Sequence, residues 1–125
     1  SSFGPYYGEM WSDLEDFEIS LRRVRRIKAR WYATFHHIGL LEEEAFLHRL
    51  DRFEAVISER DRRLLKFLCR PRNLTDIVEH RFIYRPEDNV LFADAVELRS
   101  MTLHIERLLK RGQIREIEPD LYQTV

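Results

Sequence analysis

Apolar residues recur along this chain with two different periods. Leu14, Phe17, Leu21, Val24 and Ile27 are spaced by three and four, so they form one stripe of a helix. Ser12-Asp13-Leu14-Glu15 before that stripe reads as a capping box, in which hydroxyl and carboxylate take up the first free amides. Trp31-Tyr32-Ala33-Thr34-Phe35 is apolar, aromatic and of strand length, and it runs into His36-His37-Ile38-Gly39. Helical spacing returns with Phe46, Leu50, Phe53, Ile57, Leu64 and Leu68, without Gly or Pro, and predicts a helix from about Glu42 to Cys69, with a break near Ser58 left open. The Arg70-Pro71 step ends it, because a residue before proline avoids helical angles. Asn73 or Thr75 then caps a short helix from Asp76 to about Arg81, and Tyr84–Asn89 is a polar loop. A further helix is predicted from about Phe92 to Arg111, with Leu98, Met101, Ile105 and Leu108 on its buried face and Gly112 as its left-handed stop. Gln113–Val125 reads as a hairpin turning at Glu118-Pro119-Asp120.

These elements predict a mostly α chain with a small β component, an α+β fold. Helix then strand, over residues 1–41, is a unit without sheet partners. A lone strand is not stable, so this part is expected to belong to a larger domain or to pair with another chain. Three helices followed by a two-stranded wing, over residues 42–125, is the order of a winged helix. In a DNA-binding version the last helix would enter the groove, with Arg99, His104, Arg107, Lys110 and Arg111 as its contacts. The expected outer face, however, also carries Glu97, Ser100 and Glu106, and the wing adds Glu116, Glu118 and Asp120. A duplex reader should be more basic there, so a packing or dimerising role is favoured over nucleic acid.

Charge supports that choice. The 125 residues hold 21 Lys and Arg against 22 Asp and Glu, for a net charge of −1. The basic run Arg22, Arg23, Arg25, Arg26, Lys28 and Arg30 follows acidic Asp13, Glu15, Asp16 and Glu18 along one helix, an order that complements the helix dipole. The single cysteine, Cys69, allows no internal disulfide and fits a reducing, cytoplasmic setting. No apolar run reaches the roughly 18 residues that cross a bilayer, so no membrane partner is expected. The chain opens on Ser1-Ser2-Phe3-Gly4-Pro5 without Met and with no signal peptide, which leads us to expect a piece of a longer protein.

Two features bear on chemistry. Phe3, Tyr6, Tyr7 and Trp11 crowd rings around Gly4, Pro5 and Gly8; such a loop packs on a neighbouring layer or lines a cleft, with Phe3, Tyr6 and Tyr7 as the cleft candidates. His36 and His37, at the end of a strand, are of the type that ligates zinc. A hydrogen-bonded surface pair is the competing reading. His48, His80 and His104 stand apart, and there is no HxHxDH, HExxH or CxxC run, so any metal site needs ligands from elsewhere.

Ser2-Phe3-Gly4-Pro5-Tyr6-Tyr7-Gly8 is similar to the stretch after the bridging-aspartate motif of metallo-β-lactamase-superfamily hydrolases. Thr34-Phe35-His36-His37-Ile38-Gly39 resembles their last metal-ligand motif. Arg60 in a long helix, and Leu103-His104-Ile105-Glu106-Arg107-Leu108 before Gly112, are similar to the winged helix that some of them carry. The resemblance covers nearly the whole chain. It implies the C-terminal helix–strand piece of an αββα domain over residues 1–41 and an appended winged helix over 42–125. It makes His36, or alternatively His37, one ligand of a zinc or iron pair that polarises a scissile bond and activates water. It implies no catalytic side chain within this stretch, an N-terminal remainder of the same hydrolase as partner, and a winged helix that shapes the substrate entrance or a homodimer contact. The other ligands would precede Ser1, and Asp13 and Asp16 do not fit the bridging position. The chain alone is therefore expected to hold no stable metal and to be inactive.

Overall fold

A computed structural model describes residues 4–34 and 39–125. The described residues form an α+β fold with four helices and two small antiparallel sheets, in the order α1 (Leu14–Arg26), β1 (Tyr32–Thr34), β2 (Gly39–Leu41), α2 (Glu43–Phe67), α3 (Leu74–His80), α4 (Ala93–Lys110), β3 (Ile114–Glu118) and β4 (Leu121–Thr124).

Helix α1 starts one residue later than the capping box predicts. Ser12 is used in a turn, its amide bonded to the Glu9 carbonyl, and the Asp13 carboxylate accepts the Asp16 amide at 2.8 Å. A charged acceptor satisfies a free helix amide more strongly than a hydroxyl does. The α1 stripe fades along its length: Leu14 is buried, Phe17 and Leu21 are half-buried, and Ile27 is exposed, because the helix has ended by Arg26. Its basic end is partly neutralised by α2, through Arg25 on Asp51 and Glu54 and Lys28 on Glu43.

The strand expected to lack a partner has one in the same chain. Tyr32 and Leu41 are paired, as are Ala33 and Leu40, and Thr34 and Gly39. Tyr32 faces inward, stacks on Phe46 of α2 with centroids 4.1 Å apart, and donates its hydroxyl hydrogen to the Ile27 carbonyl. The sequence reading missed this pairing because Leu40 and Leu41 alone are too short to show a period.

Helix α2 runs unbroken through Ser58 for 25 residues and buries Leu50, Ile57, Arg60 and Leu64, with Leu68 buried at its C-cap. Asn73 caps α3 in a full capping box with Asp76. Helix α4 stops at Gly112, whose φ of +68° is a left-handed angle that costs glycine little. The main core gathers Leu64, Leu68, Ile77, Phe82, Met101, Ile105, Leu108 and Ile114 from α2, α3, α4 and β3. The β3–β4 hairpin turns at Asp120, with φ +61°, and its outer strand continues onto Arg72, whose amide and carbonyl both bond Tyr122. Tyr84, placed by the sequence in a polar loop, is buried against Ala93 and Val96.

The buried face of α4 differs from expectation. Leu98 is 41% exposed, whereas Glu97, Ser100, His104 and Arg107, expected on the outer face, are buried. The reason is that α4 is covered on two sides. One side meets the main core, and the other meets the N-terminal loop, where Gly8 packs on Val96 and Ser100. A methyl group at Gly8 would lie 2.7 Å from Val96 Cγ1. Val96 is β-branched and stiff in a helix, so it does not move aside easily. Gly8→Ala is expected to cost about 1–3 kcal/mol in a urea titration; an unchanged midpoint would mean that the loop stands off α4.

Candidate functional site

The polar side chains gathered between the N-terminal loop and helices α1, α2 and α4 are the chemical centre of the molecule. Arg60, from α2, reaches back to the loop. Its Nη1 donates to the Pro5 carbonyl at 2.8 Å and to the Tyr7 hydroxyl at 2.7 Å. The Tyr7 hydroxyl also lies 2.7 Å from His104 Nε2. The Asp61 carboxylate can only accept, so Nδ1–H donates to its Oδ1 at 2.6 Å, Nε2 of the neutral ring is bare, and the Tyr7 hydroxyl donates to it. Asp61 Oδ2 in turn accepts from Arg107 Nη2 at 2.5 Å, and Arg107 Nη1 donates to Glu18 Oε2 of α1 at 2.9 Å. Arg111 lies 4.0 Å from Asp61.

The resulting chain of donors runs one way, from Arg60 through Tyr7 and His104 to Asp61. Two guanidinium groups face two carboxylates, so with neutral imidazole these side chains carry no net charge. Burial is the main force on the titrating members. It pushes the His104 imidazole below its ordinary value, opposed by Asp61 and reinforced by Arg107 and Arg60. It also pushes the Tyr7 hydroxyl up, although Arg60 pulls the other way. The Tyr7 ring packs edge-on against Phe17 and lies under the Arg60 guanidinium.

A His between a carboxylate and a hydroxyl has the donor order of a general-base relay. Here it cannot act as one on an outside molecule, because His104 has no exposed surface and Tyr7 is 1% exposed. What the arrangement does is hold four chain segments in register.

Glu97 forms a second buried polar centre. It has no exposed surface, and its carboxylate accepts the backbone amides of Phe82, Ile83 and Tyr84 at 3.1, 2.8 and 2.7 Å. It thereby ties the loop after α3 to the first turns of α4. Next to it, an open groove of about 760 Å³ runs between α3 and α4 over Leu74, Val78, Ala95 and Leu98, with the Arg81–Asp94 ion pair on its rim.

The residues singled out from the sequence divide as follows. His36, His37 and Phe3 lie outside the described residues. Tyr6 is partly exposed and bonds Glu9, whereas Tyr7 is enclosed in the buried network. Of the five positions weighed for nucleic acid, Arg99, Lys110 and Arg111 are exposed, but His104 and Arg107 are buried and bonded, so they cannot face a duplex. His80 stacks on Phe67, and both ring nitrogens of His104 are engaged. Among the described residues no group of three or more His, Cys, Asp or Glu side chains is placed to hold a metal ion. The described residues therefore do not by themselves fit the zinc or iron pair that the resemblance implies. No helix among them is long and apolar enough to cross a membrane.

Asp61, Glu18 and the inward turn of Arg107 escaped the sequence reading. A signal was present. In α2 the apolar stripe Ile57–Leu64–Leu68 skips a turn, and that turn is filled by Arg60 and Asp61; in α4, Glu97 and His104 fall in phase with Met101 and Leu108. Polar residues in the buried phase of a helix imply a buried partner. Comparison of the chain with protein-family models, with curated proteins and with solved structures gives no match.

Proposed function

We propose that this chain is the C-terminal part of a metal-dependent hydrolase of the metallo-β-lactamase superfamily. Residues 1–41 would belong to the hydrolase domain, and residues 42–125 would be an appended winged helix that shapes the substrate entrance or a contact between two copies. The observation that carries the winged-helix half is the order α2, paired Arg72, α3, α4, hairpin, with Arg72 laid as a third extended segment along Tyr122. The hydrolase half rests on the similarity of residues 2–8 and 34–39 to the family's motifs. The locked loop at Pro5–Gly8 supports it, since a segment beside a reacting centre must be held rigidly. The nucleic-acid alternative is weakened by the burial of His104 and Arg107. In this reading the metals' remaining ligands precede Ser1, the protein is cytoplasmic, and the chain alone is inactive.

The test uses the protein as its gene encodes it, including any frame upstream of Ser1. Zinc and iron are measured per chain in the purified wild type and in His36→Ala and His37→Ala. We expect bound metal in the wild type and loss of at least about half of it in one of the two variants, with an unchanged circular dichroism spectrum, as expected when one of about four ligands is removed. A wild type without metal, or two variants that retain it fully, would remove the hydrolase reading.

A further inference from the structure

We propose that Arg60, Tyr7, His104 and Asp61 form a proton-operated latch, which holds residues 4–8 and α1 closed at neutral pH and releases them when His104 takes up a proton. This holds whether or not the chain belongs to a hydrolase. If it does, the latch sets the position of the loop beside the reacting centre.

The argument starts from the direction of the hydrogen bonds. Nε2 of His104 is an acceptor because the Asp61 carboxylate can only accept from Nδ1, which leaves Nε2 of the neutral ring bare for the Tyr7 hydroxyl to donate to, while Arg60 donates to the Tyr7 oxygen. A proton on Nε2 turns that acceptor into a donor. The Tyr7 hydroxyl hydrogen then loses its partner inside an enclosed space, and a buried donor without a partner is strongly disfavoured.

The charge balance points the same way. His104 faces Tyr7 from the loop and Arg60 and Asp61 from α2. Arg107, on its own helix, reaches Asp61 and Glu18 of α1, with Arg111 4.0 Å from Asp61. Apart from Arg111, which is half exposed, the enclosed cations Arg60 and Arg107 and the anions Asp61 and Glu18 balance while the imidazole is neutral. Protonation adds an uncompensated charge where water is excluded.

The break falls in one place because the apolar contacts are divided. Tyr7, Leu14 and Ile57, with Phe17, Leu21 and Leu103 around them, form one cluster. The main core, from Leu64 to Ile114, contains none of them. Opening at Tyr7 therefore strips the first cluster and leaves α3, the C-terminal half of α4 and the hairpin packed.

The sign follows from linkage. The closed form holds His104 neutral below its ordinary value, and the open form takes up a proton at that ordinary value, near about 6.5. Opening binds a proton, so closure is at full strength above that pH and weakens as pH falls.

The test is hydrogen exchange read by mass spectrometry on the full chain at pH 7.5 and pH 5.0, corrected for the intrinsic pH dependence of exchange. Peptides from residues 4–26 should show an opening equilibrium raised at pH 5.0, by at most about thirty-fold. Peptides from 101–118 should not change. His104→Gln, which does not titrate in this range, should abolish the difference. Equal protection at both pH values would overturn the proposal, as would the same pH effect in His104→Gln or equal loosening of both regions. Should His104→Gln fail to fold, nitrogen NMR of His104 in the wild type decides: protonation at or above the ordinary value with residues 4–26 still protected is the overturning result.

Discussion

Arg107→Glu is expected to be among the most damaging single changes in this protein, with a loss of about 3–5 kcal/mol or more in urea unfolding. Arg107 is 5% exposed, and its guanidinium links Asp61 to Glu18, at 2.5 and 2.9 Å. A carboxylate there would face two others, and Asp61 would keep only His104 and the distant Arg111 as counterweights. Read as an outward residue of α4, Arg107 would tolerate the change. Glu18→Ala is the control: Glu18 keeps 27% of its side chain exposed, so water compensates for part of the loss, and its cost should be well below that of Arg107→Glu. A midpoint for Arg107→Glu within about 0.5 kcal/mol of wild type, as for an ordinary surface substitution, would show that the guanidinium faces solvent.

Glu97→Ala is the second large effect. The change leaves the amides of Phe82, Ile83 and Tyr84 without their acceptor and opens a space beside Val96. Each buried amide left unpaired costs about 1–3 kcal/mol, and solvent entering the space offsets part of that. A total of about 3–5 kcal/mol is expected, together with faster exchange of those three amides. Glu97→Gln should be milder. Its single oxygen can still serve Ile83 and Tyr84, which share Oε1, while its NH₂ opposes the Phe82 donor. Wild-type protection of the three amides in Glu97→Ala would mean that they are held by something other than this carboxylate.

Much of the fold is legible in the chain because its signals are local. A cap at Asn73 or Thr75, the stop at Gly112 and the turn before Leu121 each depend on residues within a few positions of one another, and α2 on one helical period; the structure chose Asn73 and ran α2 through Ser58. The site is less legible. Tyr7 and His104 are 97 residues apart, and His104 and Asp61 are 43 apart. No period records such contacts. The sequence reading placed His104 and Arg107 outside because it assumed that α4 buries one face only. The loop and α1 cover a second face, and polar residues turn inward there to meet one another.

What the sequence determined by itself was the helices to within a residue or two, the stop at Gly112, the hairpin and the near balance of charge. These follow from backbone geometry and local spacing. Only the tertiary structure decided that β1 pairs with β2, that Arg72 joins the hairpin at Tyr122, and that Arg60, Asp61, His104 and Arg107 close on Tyr7 and Glu18. A charged side chain has the same identity on either face of a helix. Which face it takes depends on whether a partner of opposite character arrives from a distant part of the chain to replace the water it gives up.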